Sequence, residues 1–172
     1  MLQQTLIIIK PDGVEKGLTD EIIRRYEAAG LSVVKRKDWK QAPMDIIEKH
    51  YPMDDEYIRS LGEKSVQAGD DTVMDTLSQG KKILGWLRNF ITSGPIVCMI
   101  LQGEEAVSLT RKITGYTDPA TAQKGTIRGD LGEDSILKAN RQGRPVYNLI
   151  HASGTPEEAK REISLWFGKP FA

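Results

Sequence analysis

The sequence predicts a single α/β domain in which helices cover a sheet of short, buried strands. Two observations support this fold class. Short apolar runs rich in β-branched residues recur along the chain, and segments with the apolar spacing of amphipathic helices separate them. The length of 172 residues is that of one domain, and the chain shows no internal repeat or linker, so we place the domain over residues 1–172.

The first part of the chain alternates strands and helices. Residues 6–9 form a β-branched run that ends in a turn sequence, and this pattern predicts a buried strand. Thr19 is the predicted N-cap of a helix that ends at Gly30, because apolar residues follow it at helical spacing. A second strand over residues 31–37 and a short helix over residues 43–50 come next.

The middle of the chain is interpreted as a surface excursion followed by a helix, a strand and another helix. Residues 53–82 are polar and contain several glycines, so at most one short helix is expected there. Helical spacing resumes over residues 83–91, and an apolar strand follows over residues 96–101. The next helix, over residues 104–114, closes at Gly115.

The last part of the chain begins with a long segment, residues 116–144, that contains no convincing regular element. A loop of that length in a compact domain is usually functional or disordered. Residues 146–150 predict a fourth strand, and Thr155, Pro156 and Glu158 predict a capped helix start. This order of elements fits the split βαβ arrangement of a ferredoxin-like fold, a four-stranded antiparallel sheet with helices on its faces.

Composition argues against several classes of protein. Lys plus Arg number 24 and Asp plus Glu number 24, so the chain lacks the basic field of a nucleic-acid-binding protein. Its one cysteine, Cys98, cannot form an intramolecular disulfide, and its two histidines are too few for a zinc site built from Cys and His. No apolar run has the length of a membrane span and no signal-peptide pattern occurs, so we expect a cytoplasmic protein without membrane association.

The candidate chemistry centres on His151, which follows the predicted fourth strand and precedes a glycine-containing turn. Reactive groups often lie at such strand ends, and an imidazole can act as acid, base or nucleophile. From position alone, a structural histidine is an equally good interpretation. Three basic residues lie at or near predicted loops: Lys10, Arg111 and Arg128. If their side chains meet in one pocket, they would bind phosphate there. Considered alone, each of these three side chains is better interpreted as a solvated charge on the protein surface.

Seven short motifs follow one another along nearly the whole chain. They are KPDGV at 10–14, GL at 17–18, SGP at 93–95, GYTDPA at 115–120, GTIRGD at 125–130, NLIHAS at 148–153 and EISLWF at 162–167. In identity and order they resemble the nucleoside diphosphate kinase family. Any one motif would be weak, but seven in the family's order are a specific signal.

The resemblance implies a ferredoxin-like fold and a ping-pong transfer of the γ-phosphoryl group from a nucleoside triphosphate to a nucleoside diphosphate. His151 would be the nucleophile, with Glu162 on its other ring nitrogen and Ser153 holding that carboxylate. Mg²⁺ would be held mainly by the nucleotide phosphates rather than by the protein. The resemblance also implies a tyrosine beside the histidine and a set of ligands for the sugar and phosphates: Tyr51, Lys10, Asn148, Arg111, Thr117 and Arg128.

Two segments, about 53–82 and 131–145, are longer than the family's pattern, and we interpret both as surface insertions. The second insertion carries basic residues close in sequence to His151; a cover over the site and a subunit contact are alternatives to a plain surface loop. The first displaces the phenylalanine that stacks on the base in the family. Alignment from the SGP motif puts Ile83 or Leu84 there, and core packing is the favoured interpretation of both and of the aromatic alternatives. Three nearby aromatic residues are alternatives: Tyr57, Trp86 and Phe90.

The resemblance further implies a homo-oligomer, either a hexamer or a tetramer. An active kinase is the favoured function, because every implied catalytic position holds a chemically competent residue. One alternative is a non-catalytic binding relative whose insertions obstruct the pocket. Another is an RNA-binding regulator, against which the zero net charge and the 6% aromatic content argue.

Overall fold

A computed structural model gives the fold and describes residues 1–168, so the end of the predicted domain lies outside the described residues. Its strands are β1 (Leu2–Ile9), β2 (Ser32–Trp39), β3 (Ile96–Glu104) and β4 (Ile150–Ala152). They form one four-stranded sheet in the order β2-β3-β1-β4, and every pairing is antiparallel. This is the split βαβ arrangement, so the predicted ferredoxin-like fold is confirmed.

Helices connect the strands and cover both faces of the sheet. They are α1 (Pro11–Glu15), α2 (Thr19–Ala28), α3 (Met44–His50), α4 (Asp55–Gln67), α5 (Thr76–Ile91), α6 (Ala106–Thr114), α7 (Ile127–Leu131), α8 (Ile136–Arg141) and α9 (Pro156–Phe167). None of the helices within residues 1–168 has both the length and the apolar composition that crossing a bilayer requires.

The two faces of β1 belong to two separate parts of the core. Leu6 and Ile8 pack in the cluster that includes residues of α3, α4, α5 and α9. Ile7 and Ile9 point to the opposite face and pack in the cluster beside α2 and α6. Because helices bury both faces of the sheet here, the strand sequence is a continuous apolar run rather than an alternation of apolar and polar residues.

The predicted surface excursion over residues 53–82 is wrong, because this segment forms α4 and the first part of α5. Asp54 and Asp75 cap the two helices by accepting backbone N–H groups, each at 2.8 Å. A Cβ on Gly62 would lie 2.0 Å from the Thr76 carbonyl oxygen, and one on Gly80 would lie 1.8 Å from that of Ile58. These glycines therefore allow close packing of two helices, although in the sequence they suggest loops.

The predicted absence of regular structure over residues 116–144 is also wrong, since α7 and α8 lie there. Thr126 caps α7 and Ser135 caps α8, each by accepting a backbone N–H at its oxygen. The fourth strand begins later than predicted, at Ile150. Leu149 has a φ of 73°, which interrupts extended backbone, and its N–H donates to the Asp12 carboxylate at 3.0 Å.

The helix starts agree with the sequence to different degrees. Thr155 caps α9 as predicted, since its hydroxyl accepts the N–H of Glu158 at 3.1 Å, and Pro156 is the first helical residue. Thr19 is not the N-cap of α2, because it is already helical and Leu18 takes the cap position without a side-chain hydrogen bond. The capped start of α9 is the most important of these for the site, because this helix positions Glu162 beside His151.

Candidate active site

A cavity of about 310 Å³ lies between β4, the loops before it, and the α4–α5 hairpin. It collects residues that are far apart in the sequence. Eight positions implied by the family resemblance line it: Lys10, Tyr51, Ile83, Arg111, Thr117, Arg128, Asn148 and His151. The other two, Ser153 and Glu162, are buried behind His151. The sequence-derived set therefore converges on one place.

His151 is held from behind by a buried carboxylate. Its Nε2 lies 2.9 and 3.0 Å from the two carboxylate oxygens of Glu162, whose side chain is only 1% exposed. Ser153 donates its hydroxyl hydrogen to the same carboxylate at 2.7 Å. A carboxylate accepts hydrogen bonds, so this arrangement places the ring proton on Nε2 and leaves the lone pair of Nδ1 available. Among residues 1–168, none hydrogen-bonds to Nδ1.

The surroundings of His151 favour its neutral form. Burial is the largest cause that lowers the pKa of the imidazole, and the nearby cations Lys10, Arg128 and Arg111 lower it further. The carboxylate of Glu158 acts in the opposite direction. At neutral pH the ring is therefore unprotonated at Nδ1, which is the form a nucleophile requires.

Lys10, Asn148 and Thr117 form a chain of hydrogen bonds along one wall. The Lys10 ammonium donates to Asn148 Oδ1 at 2.8 Å, and the Asn148 amide donates to the Thr117 carbonyl at 2.9 Å. Burial, and then the charge of Arg128, lowers the pKa of Lys10 to about 8. These contacts hold the ammonium at the end of β1 in a fixed direction.

Arg128 is buried and hydrogen-bonds to three backbone carbonyls. Its guanidinium donates to Asn148, Gly115 and Ile150 at 3.1, 3.1 and 2.5 Å. Burial, and then the charge of Arg111, lowers its pKa to about 10. Arg111 donates to the Ala152 carbonyl at 3.4 Å. Both arginines therefore fix the loops around β4 while facing the cavity.

His50 lies against the site, although the sequence did not single it out. Its Nδ1 accepts the indole N–H of Trp166 at 3.2 Å, and its ring centroid lies 4.5 Å from that of His151. Burial is the main cause that lowers the pKa of His50 to about 3, so it stays neutral. Tyr51 is buried beside it, and burial raises the pKa of that phenol. Only the adjacency of His50 to Tyr51 hinted at this role, because the other contacts are long-range.

The far end of the cavity is apolar. The lining there comes from α4 and α5: Tyr57, Leu61, Ile83, Trp86 and Leu87. Leu84 points into the core instead, and Phe90 packs against Tyr147 with a centroid distance of 5.0 Å. The structure thus brings Ile83, Tyr57 and Trp86 to the cavity, and leaves Leu84 and Phe90 outside it.

Residues 131–145 do not form the plain surface loop that we expected. Four of them line the cavity: Ile136, Asn140, Arg144 and Pro145. The guanidinium of Arg144 is neutralised by a bidentate ion pair with Asp134 at 2.6 and 3.0 Å. The sequence also missed Lys64 and Glu158, which complete the charged lining. Cations outnumber carboxylates in this lining, so the cavity suits an anionic ligand such as a phosphate ester.

The fold and the site together define an enzyme of the phosphotransferase class. The family model described as nucleoside diphosphate kinase matches residues 3–68 and 76–170. The chain belongs to the nucleoside diphosphate kinase family, whose members act on nucleotides. The unmatched residues 69–75 lie between α4 and α5.

Individual relatives agree with this assignment. The nucleoside diphosphate kinase of Pyrobaculum aerophilum is 44% identical over 175 residues, covering 96% of this chain and 95% of the relative. A crystal structure of an NDP kinase from that organism has a TM-score of 0.89 at 43% identity, covering 97% of this chain and 96% of that one. A nucleoside-diphosphate kinase from Borrelia burgdorferi was solved with bound vanadate and ADP as a transition-state mimic. It has a TM-score of 0.78 at 33% identity, and the match covers 96% of this chain and 87% of that one.

Proposed function

We propose that this chain transfers the γ-phosphoryl group of a nucleoside triphosphate to a nucleoside diphosphate by a ping-pong reaction through a phosphohistidine on His151. The observation that carries the proposal is the hydrogen bond between Nε2 and Glu162, at 2.9 and 3.0 Å. It fixes the tautomer in which Nδ1 is the nucleophile. The Borrelia relative, with vanadate and ADP bound, supports a phosphoryl-transfer geometry for this fold.

In the first half-reaction the Nδ1 lone pair attacks the γ-phosphorus. The bond from that phosphorus to the bridging oxygen breaks, and the nucleoside diphosphate leaves with the electron pair. The ring becomes positively charged, and Glu162 stabilises it through the Nε2 proton. In the second half-reaction, a terminal phosphate oxygen of another nucleoside diphosphate attacks the phosphohistidine, and the nitrogen–phosphorus bond breaks.

The cations around His151 supply the electrostatic part of catalysis. Lys10, Arg111 and Arg128 lie in the cavity that holds the imidazole, and Thr117 and Tyr51 add hydroxyl groups. Charge spread over the transferring phosphoryl oxygens is neutralised by such positioned cations, which need no rearrangement during the reaction. Burial keeps Tyr51 protonated by raising its pKa, so its hydroxyl can donate a hydrogen bond.

Mg²⁺ enters this proposal as part of the magnesium–nucleotide substrate. Among the described residues that line the cavity, the one carboxylate is Glu158, and it already accepts the Gly154 N–H at 2.6 Å. The group formed by His50, His151 and Glu162 offers two nitrogens and an occupied carboxylate, which is a poor set for Mg²⁺. Phosphate oxygens are therefore its main ligands.

The nucleoside part would occupy the rest of the cavity. Lys10 and Asn148 would bind the sugar hydroxyls and the phosphate that they approach. The apolar wall that contains Ile83, Tyr57 and Trp86 would contact the base. An apolar wall with few polar groups does not select one base strongly. In this proposal the chain is a single domain, and residues 53–82 and 131–145 enclose the nucleotide.

The remaining parts of the proposal concern assembly and location. We propose a homo-oligomer, a hexamer or a tetramer, in the cytoplasm, without specific binding of nucleic acid. β2 is an edge strand of the sheet in the isolated chain, which supports an assembly that pairs or covers it. Sedimentation as a monomer at micromolar concentration would contradict the assembly.

The first experiment measures the intact mass of the protein after mixing with MgATP, and again after adding a different nucleoside diphosphate. We expect an acid-labile phosphoryl group that disappears when the diphosphate is added, because the second half-reaction discharges it. The His151→Gln variant should fold, bind nucleotide and gain no phosphoryl group. Bound nucleotide without a phosphoenzyme in the native chain would contradict the mechanism, as would transfer by the variant.

A further inference from the structure

The α4 helix brings to the cavity a cation that the family resemblance did not imply. Lys64 lines the same cavity as Arg111 and Arg128. Within the described chain, no hydrogen bond or ion pair engages its ammonium. Its charge contrasts with that of Arg144, which also lines the cavity but is neutralised by Asp134 at 2.6 and 3.0 Å.

Lys64 lies within electrostatic range of the phosphate-binding cations. Burial is the largest cause that lowers its pKa, the charges of Arg111 and Arg128 lower it further, and the Glu158 carboxylate acts in the opposite direction. In turn, the charge of Lys64 contributes to the lowered pKa of Lys10. Cations held together in a partly buried cavity repel one another, and a bound polyanion relieves that repulsion.

The backbone of α4 at Lys64 is held in place by contacts of the residues that follow it. The hydroxyl oxygen of Ser65 accepts hydrogen bonds from the Asn140 amide at 2.9 Å and from the Gln79 amide at 3.4 Å. Asn140 also donates to Asp70 at 2.8 Å. These contacts tie α4 to α8 and α5 next to the cavity, so the lysine is carried on a rigid support.

We propose that Lys64 binds a phosphate group of the nucleotide and is a fourth cation of the phosphate site, beside Lys10, Arg111 and Arg128. The inference rests on the proposed function for the identity of the ligand. It gives the α4–α5 hairpin a part in binding the phosphates as well as the base. An ammonium that contacts phosphate in the bound ground state contributes to affinity for both diphosphate and triphosphate.

The test compares binding of MgADP and of adenosine, which has no phosphate, by calorimetry. Lys64→Met should lower the affinity for MgADP by roughly tenfold, which is the loss expected for one charge-assisted contact. The same variant should bind adenosine as the native chain does, and Lys64→Arg should restore most of the MgADP affinity. Lys81→Met is the matched control, because Lys81 is exposed on α5, and it should bind both ligands normally.

The outcomes separate this inference from the proposed function. Equal losses for adenosine and MgADP would mean that Lys64 only supports the fold, and an unchanged affinity for MgADP would mean that it does not touch phosphate; either overturns the inference. A native chain that binds MgADP but gains no phosphoryl group from MgATP overturns the proposed mechanism alone. Failure of the native chain to bind MgADP overturns both.

Discussion

The cavity has two sides that are built in different ways. On the strand side, formed by β1, β4 and their loops, short hydrogen bonds fix several of the functional groups. Examples are Lys10 to Asn148 at 2.8 Å and Ser153 to Glu162 at 2.7 Å. On the hairpin side, formed by α4, α5 and α8, apolar side chains and Lys64 are positioned by helix packing.

This difference follows from what each side has to do. Phosphoryl transfer needs reacting atoms held within a fraction of an ångström, which hydrogen-bonded side chains on strands provide. A nucleoside needs a wall of suitable shape, and different combinations of apolar residues can supply one. Changes on the strand side should therefore act on the chemical step, and changes on the hairpin side should act on stability and affinity.

The largest expected effect comes from Glu162→Gln on the strand side. The amide oxygen still accepts a hydrogen bond from Nε2–H, but the neutral side chain no longer offsets the positive charge that develops on the ring. We expect kcat to fall about a hundredfold, with KM for the nucleotides nearly unchanged, because the charge acts in the transition state. Steady-state kinetics measure both constants.

Glu157→Gln is the control for this variant, since Glu157 is an exposed carboxylate on the same helix. It should leave both constants at their native values. A Glu162→Gln enzyme with native kcat would show that the carboxylate serves only to orient the ring. The proposed electrostatic role would then be wrong.

On the strand side the sequence already indicated which residues lie near one another, because the signals are local. NLIHAS places Asn148, His151 and Ser153 within a few residues, and KPDGV ends the first strand at Lys10. The sequence also predicted the capped start of α9, which sets the distance from His151 to Glu162. The close packing of the two helices on the hairpin side was not predicted, because the evidence for it lies in contacts between residues that are far apart in the sequence. Gly62 and Gly80 suggest loops one at a time, and only their contacts show that they pack helices.

The second prediction concerns that helix packing. Gly80→Ala puts a methyl group 1.8 Å from the Ile58 carbonyl oxygen, so α4 and α5 must separate. We expect the free energy of unfolding to fall by about 2–3 kcal/mol, measured by urea denaturation, because backbone atoms cannot move aside cheaply. KM for nucleotides should rise, since the cavity wall moves.

Gly85→Ala is a matched control on the same helix. Gly85 is exposed, and a Cβ there meets no atom within 4 Å. We expect this variant to gain about 0.5–1 kcal/mol, because alanine has the higher helix propensity. If the two variants had equal stabilities, close packing would not be the reason for glycine at position 80.

The smallest expected effect comes from Asn140→Ala, which removes the tie between α8 and the α4–α5 hairpin. Its amide donates to Ser65 and Asp70 at 2.9 and 2.8 Å, so the free energy of unfolding should fall by about 1 kcal/mol. KM for nucleotides should rise less than in Lys64→Met, with kcat unchanged, because the support of Lys64 loosens while its charge remains.

Lys138→Ala, at an exposed position on α8, should change neither the free energy of unfolding nor KM. A fall in kcat without a rise in KM would mean that the hairpin side takes part in the chemical step, and the division between the two sides would then fail.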